Sequence, residues 1–176
     1  MTKKSLNQVF EREVPDGDDH ERLVCQQCGF INYENPKLVV GSVVTDPDDR
    51  ILICKRAIEP QRGLWTIPAG FMELHESPEQ GAAREAMEEA CAKIQIRDML
   101  AVYTIKHISQ VQIMFRAKLL SPDIAAGPES LDVDLVKWED IPWKELAFPS
   151  VHWALKQFDS VRNVSSFAPF GNPDTP

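Results

Sequence analysis

Long hydrophobic runs are missing from this sequence: no stretch approaches the roughly 20 apolar residues that a membrane-spanning helix requires. The segment Met1 to Asp18 is charged throughout and lacks the apolar centre of a secretory signal. Cysteine is scarce, with one close pair, Cys25 and Cys28, and two isolated residues, Cys54 and Cys91. That density excludes a secreted disulfide scaffold and points to a reducing, cytoplasmic setting. Positive charge is also in deficit. Lys and Arg number 19 against 27 Asp and Glu, a net charge of −8, which argues against general attraction to a nucleic-acid backbone. A small polyanion would need a local cation to bind. What the 176 residues do hold, 43% apolar and 26% charged, suffices for a single core of ordinary size.

Three regions differ in composition. Residues 1–36 are polar and turn-rich, with Pro15-Asp-Gly-Asp18 and Cys25-Gln-Gln-Cys28-Gly29, and read as a small loop-dominated arm. Residues 37–162 form the core domain, opening with two β-rich runs, Leu38 to Val44 and Ile51 to Cys54, joined by the turn Asp46-Pro-Asp-Asp49. Residues 163–176 have no helical or strand period and are expected to be a C-terminal tail. Ser77-Pro78-Glu79-Gln80 starts a helix, because Ser77 and Gln80 form a capping box and Pro78 suits the first turn. That helix is expected to run to about Ala92. Further apolar runs at Leu100 to Ile105, Val111 to Leu120 and Asp134 to Trp138 have connections too short for repeated crossover helices, so the sheet is mixed or antiparallel. A short and a longer helix, Pro142 to Ala147 and Ser150 to Val161, close the domain.

Chemistry concentrates between Gly70 and Glu89. On a helix from Pro78, Glu85, Glu88 and Glu89 stand at i, i+3 and i+4 and project from one face. From Glu76 to Glu89 five Glu and one Arg give a local charge of −4, and like charges at this spacing repel by roughly 0.2–0.5 kcal/mol per pair. A cation belongs there. Hard oxygen ligands suit Mg²⁺ or Mn²⁺ with positions left for water and substrate phosphates, whereas a Glu-rich helix face by itself is usually only solvated.

The longer pattern is Gly70, five residues, Glu76, seven residues, Arg84-Glu85, two residues, Glu88-Glu89, preceded by Gly63-Leu-Trp-Thr-Ile-Pro-Ala-Gly70. It resembles the box of the Nudix hydrolases, which act on nucleoside diphosphates linked to another moiety. The resemblance implies an α/β fold, the Nudix α/β/α sandwich with a mixed sheet. It implies Glu85, Glu88 and Glu89 as metal ligands together with a main-chain carbonyl of Ala69 or Gly70. Glu85 would also orient or deprotonate water, and Arg84 would hold Glu76. One departure is plain: the box normally ends with Gly two residues after the paired Glu, where this chain has Cys91, so the helix must end at a left-handed Cys91 or differently.

Val14 to Lys37, around Cys25-x-x-Cys28, resembles the N-terminal zinc ribbon of one Nudix subgroup. In those relatives a second CxxC lies where Thr2 and Ser5 fall here, so the ribbon is read as degenerate, with zinc not expected even with His20 as a third ligand. Gly127-Pro-Glu-Ser-Leu131, Asp140 to Trp143 and Leu146 to Ser150 resemble pyrophosphohydrolases of FAD and ADP-ribose in that subgroup, and the aligned loop makes Glu129 a further base or ligand. Arg56 is a candidate diphosphate contact, since a guanidinium matches phosphate geometry. Trp65, Phe71, Tyr103 and Phe148 are candidates to stack on substrate rings or to fill the core, and His107 is left open between substrate and bystander.

The expected function is metal-dependent hydrolysis of a pyrophosphate such as that of FAD or ADP-ribose, with release of AMP. The partner is a small-molecule nucleotide, with no nucleic acid or membrane, and a homodimer is implied by resemblance. The alternatives are an NADH or nucleoside-triphosphate pyrophosphatase, NADH being disfavoured by a missing motif after the box, and a non-catalytic nucleotide-sensing domain of Nudix type.

Overall fold

A computed structural model describes residues 9–174, which divide between Pro36 and Lys37 into two compact units. In the first unit, β1 (Phe10–Glu13), β2 (Arg22–Cys25) and β3 (Ile31–Asn32) form an antiparallel sheet in that order. The sequence reads as loop because its anchors are polar. The Asp18 carboxylate accepts from the Asp19 and His20 amides (2.8 and 3.1 Å) and from Arg22 Nε (2.8 Å), closing the β1–β2 turn, and the Arg22 guanidinium lies over the Tyr33 ring. The opposite end is the cysteine turn, where Gly29 at φ +72° donates to the Cys25 carbonyl and Cys25 donates to Phe30.

The second unit is a mixed sheet between two helices. Its strands are β4 (Lys37–Thr45), β5 (Ile51–Arg56), β6 (Trp65–Thr66), β7 (Ala69–Phe71), β8 (Ile94–Ile105), β9 (Gln110–Leu119) and β10 (Ser130–Val136); the helices are α1 (Pro78–Ala90) and α2 (Pro149–Val161). The main order is β10-β5-β4-β9-β8, with β6 on β5 and β7 on β4. Only β4 and β9 run parallel. The β4–β5 turn is tied by Asp46, whose carboxylate accepts from the Asp48 and Arg50 amides.

Strand alternation sorts the core into two layers. Val44, Leu52, Cys54, Ala117 and Leu119 pack with Ala86 and Ala90 of α1. Val43, Ile51, Ile53, Leu100, Tyr103 and Met114 pack with Val151, Ala154, Leu155 and Phe158 of α2. Truncating a fully buried member such as Ile53 to Ala costs about 2–5 kcal/mol. The first helix starts as its sequence dictates: Ser77 caps it, Gln80 returns the bond, and Pro78 occupies the first turn. It stops at Ala90, two residues short of the expected Ala92, because Cys91 takes the left-handed conformation (φ 49°, ψ 24°) with its N–H on the Ala86 and Met87 carbonyls. In place of the expected helix at Pro142 to Ala147 there is a one-turn 3-10 helix, Trp143–Glu145.

The described part of the expected C-terminal tail, residues 163–176, is held to the core domain as far as Asn172. Phe170 donates to the Leu100 carbonyl and accepts from the Val102 amide (both 2.9 Å). Asn172 forms a pair of bonds with the Thr104 backbone (2.8 and 3.0 Å). Phe167 and Phe170 join the α2-side core. The reason is the free edge of β8, whose backbone groups lack a strand on that side and take the tail as partner.

Candidate active site

The loop from β7 into α1 and the first three turns of that helix bring the acidic residues together. Arg84 is the hub. Its Nε and Nη2 bind both oxygens of Glu76 (3.0 and 2.7 Å), and Nη2 also donates to the Phe71 carbonyl (2.9 Å). Its Nη1 donates to Glu85 Oε1 (2.7 Å) and Glu88 Oε2 (2.8 Å). Glu76 accepts in addition from the Glu73 amide (2.6 Å). The guanidinium holds the Glu76 carboxyl down to about 2, so this bracing pair is charged throughout the working range of pH.

Glu85 and Glu89 face inward and are buried. Burial raises the Glu85 pKa, with Arg84 opposing and Glu88 and Glu129 adding to it. Glu89 is pushed up to about 8, chiefly by burial; the Ala69 amide, which donates to Oε2 at 3.2 Å, pulls it down, Glu85 and Glu129 push it up, and the Arg56 charge opposes them. Beneath Glu89 lies the Cys54 thiol, whose pKa burial and the Glu89 charge both raise. Glu88 is exposed at the rim. Gly70 lets the Glu85 carboxylate approach the main chain closely, since a Cβ there would displace that carboxylate.

The acidic residues meet a second loop from behind. Ala125 and Gly127 donate to the Ala90 and Glu89 carbonyls at the end of α1 (both 3.0 Å). A Cβ on Gly127 would fall 1.7 Å from the Glu88 carbonyl oxygen, so only glycine lets the loop seat itself. Two residues on, Glu129 comes within electrostatic range of Glu85 and Glu89, and its carbonyl accepts from Ala57 just past β5 (2.8 Å). Arg56, at the end of β5, donates from Nε to the Pro60 carbonyl (2.9 Å) and lies over the Phe148 ring at 5.1 Å.

Other candidates stand elsewhere. Trp65 packs with the α2-side core under the Lys55 ammonium. The Phe71 ring is half exposed beneath Lys37. Tyr103 is fully buried, donating to Gln157 Oε1 (2.6 Å) and edge-on to Trp153, which closes it to any substrate ring. His107 is exposed on the turn between β8 and β9. In the first unit His20 cannot join Cys25 and Cys28 on one ion, because the strand Arg22–Cys25, about 10 Å long, separates the two ends of the hairpin. Cys25 nonetheless has its thiol pKa lowered by the Gln27 and Cys28 amides. Asp18, Asp19 and His20 bring one ligand atom each within 4.8 Å of one another at that far end. Cys54 and Gly127 were not foreseen as parts of the site. Period-two alternation with Leu52 would have found Cys54, whereas nothing in the sequence marks Gly127 as an abutment for α1.

The donor set fits a divalent cation. Glu85, Glu88 and Glu89 supply hard oxygens, with Glu89 on the Ala69 amide and Glu85 against Gly70; among the described residues they do not bring one oxygen each within 4.8 Å of one another, so an ion would draw them closer. In the arrangement described, Arg84 Nη1 draws Glu85 and Glu88 together.

Known proteins share this fold. Residues 35–158 match the NUDIX domain family, and residues 8–34 match the zinc-ribbon family described as Nudix N-terminal. The chain belongs to the Nudix family. Within it, the N-terminal unit places the chain among members that carry the ribbon segment. A crystal structure of a NUDIX hydrolase from Nitrosomonas europaea is 46% identical, covers 92% of each chain and superposes with a TM-score of 0.85. An ADP-ribose pyrophosphatase of Methanocaldococcus jannaschii is 26% identical over 122 residues, 66% of this chain and 69% of its own length. The NAD-capped RNA hydrolase NudC of Escherichia coli is 31% identical over 121 residues, 68% of this chain and 46% of its own. The chain thus spans between 46% and 69% of these curated relatives. No helix among the described residues is long and apolar enough to cross a membrane.

Proposed function

We propose that the protein is a pyrophosphohydrolase, dependent on Mg²⁺ or Mn²⁺, that cleaves the diphosphate bridge of ADP-ribose or FAD and releases AMP. The observation that carries this reading is the convergence of Glu85, Glu88 and Glu89 on one helix face, beside the main chain of Ala69 and Gly70 and braced by the Arg84–Glu76 pair. The three carboxylates, with a main-chain carbonyl of Ala69 or Gly70, would hold the cation. When bound, a divalent ion lowers the pKa of water and offsets charge that builds on phosphoryl oxygens.

The chain's own groups do the rest. Glu85, anchored through Oε1 by Arg84, takes the proton of the attacking water. Glu129, whose charge acts on Glu85 and Glu89, is the alternative base. Arg56, pinned by the Pro60 carbonyl and the Phe148 ring, presents its guanidinium to the diphosphate, giving an acidic protein the local cation its substrate needs. The similarity to an ADP-ribose pyrophosphatase supports the substrate class, and the similarity to NudC keeps NADH in the panel to be assayed. The arm is read as a zinc-free support, and the enzyme as a cytoplasmic homodimer.

The test is AMP release from FAD, ADP-ribose, NADH, diadenosine polyphosphates and dGTP, with and without Mg²⁺ or Mn²⁺. Metal-dependent AMP from FAD or ADP-ribose supports the reading. No turnover of any compound by folded, metal-bound protein would replace it with a nucleotide-sensing role.

A further inference from the structure

The first unit carries a pair of thiols that hydrolysis leaves unused. Cys25 and Cys28 stand at the turn between β2 and β3, and both are free. Two main-chain bonds close that turn: the Gly29 amide donates to the Cys25 carbonyl, and the Cys25 amide donates to the Phe30 carbonyl (both 2.8 Å). A reversed chain of this kind holds the Cα atoms of residues i and i+3 within about 7 Å, which overlaps the roughly 4.4–6.8 Å that a disulfide spans. The side chains themselves meet. The Cys28 thiol hydrogen-bonds to the Cys25 sulfur, which also accepts from the Gln27 and Cys28 amides.

The two cysteines differ in the way that thiol–disulfide exchange requires. Cys28 is exposed and has the uncharged Gln26, Gln27 and Gly29 as its chain neighbours, whereas Cys25 is buried. An incoming disulfide therefore meets Cys28 first, and Cys25, in contact with it, is placed to attack next. The amides on the Cys25 sulfur favour its thiolate, the form that attacks. A role as half of a metal site lacks the other half. Residues 1–24 and 29–36 hold no cysteine, and their one histidine, His20, stands at the far end of the hairpin, while structural zinc takes four protein ligands.

We propose that Cys25 and Cys28 form a redox-active dithiol that exchanges with small-molecule disulfides such as glutathione disulfide. Cys28 Sγ, its proton released, attacks one sulfur of that disulfide; the S–S bond breaks, and the other half leaves as a thiolate that takes up a proton. Cys25 Sγ then attacks the Cys28 sulfur and expels the second half, which is protonated in turn. The sum is one protein disulfide and two glutathione thiols: the protein is oxidised by loss of two hydrogens, and the small-molecule disulfide is reduced by gaining them. In the oxidised form a covalent link spans a turn that main-chain bonds alone close in the thiol form. The assignment is independent of the hydrolase reading and gives the first unit two covalent states.

The test uses the full chain carrying Cys91→Ser, which removes the other exposed thiol, with glutathione disulfide as the probe and intact-protein mass as the readout. This protein is expected to lose two hydrogens and retain no glutathione, and to regain both hydrogens with dithiothreitol. Cys25→Ser in the same background should instead accumulate one glutathione, because nothing resolves the mixed disulfide at Cys28. Cys28→Ser should react at least about tenfold more slowly, since its remaining thiol at the turn is buried. The protein with both thiols decides the matter even where a variant folds poorly: no reaction, or a stable glutathione adduct in place of the loss of two hydrogens, would overturn the proposal. Equal rates for Cys25→Ser and Cys28→Ser would overturn it as well. So would stoichiometric zinc that shields both thiols in the purified protein, which would make the pair part of a metal site.

Discussion

Loading the site with a divalent ion should expel a proton from Glu89. Its carboxyl is pushed up to about 8, first by burial, with only the Ala69 amide and the Arg56 charge opposing. A group of that pKa carries about 0.9 proton at pH 7, about 0.5 at pH 8 and about 0.1 at pH 9, and an ion takes the carboxylate only after the proton has left. Calorimetric titration with Mg²⁺ in buffers of different ionisation enthalpy counts the proton directly, from the slope of observed heat against buffer heat. The expected slope is about one proton per ion at pH 7, falling toward zero by pH 9. Metal-free stability follows the same site. Folded protein holds this proton between the ordinary carboxylate pKa and about 8 while unfolded chain has lost it, so stability falls as pH rises through that window. The full effect is on the order of 5 kcal/mol, and Mg²⁺ should reverse it. A slope of zero at pH 7 with the ion bound would refute the assignment of Glu89 as the buried ligand.

Three substitutions test other parts of the structure. Glu89→Gln should lower turnover by orders of magnitude with the fold intact, and near-normal metal-dependent activity would sink the hydrolase reading. Cys91→Gly relieves a left-handed non-glycine residue and should stabilise the protein by about 1 kcal/mol, or about 2–4 °C in melting temperature; a lower melting temperature would contradict the helix ending described. Gly127→Ala drives a Cβ into the Glu88 carbonyl and should cost about 3 kcal/mol while displacing Glu129, seen as a fall in both melting temperature and kcat.

Where local chemistry dictated structure, the sequence was legible. Ser77, Pro78 and Gln80 mark the start of α1 because capping is settled within four residues, and the 3.6-residue period then places Glu85, Glu88 and Glu89 together. The alternation of Ile51, Leu52, Ile53 and Cys54 assigns sides of the sheet in the same way. Contacts between segments far apart in sequence were not legible. Gly127 looks like any turn glycine until α1 abuts it, and Tyr103 looks like a stacking residue until Gln157 and Trp153 enclose it. The arm reads as loop because its hairpin depends on one ion pair, Asp18–Arg22, rather than on an apolar stripe. The tail lacks a periodic pattern because Val164, Phe167, Phe170, Gly171 and Asn172 each meet a different group.

That tail also constrains how a second copy can associate. With Phe170 and Asn172 bonded along β8, sheet-to-sheet continuation through its Leu100 to Thr104 stretch is closed. At the opposite border, a twofold pairing of β10 would bring the exposed Asp132 and Asp134 of both copies together, and their like charges repel. Both borders of the seven-stranded sheet thus carry features that oppose its continuation into a second copy, so each sheet is closed at these points rather than half of a larger one.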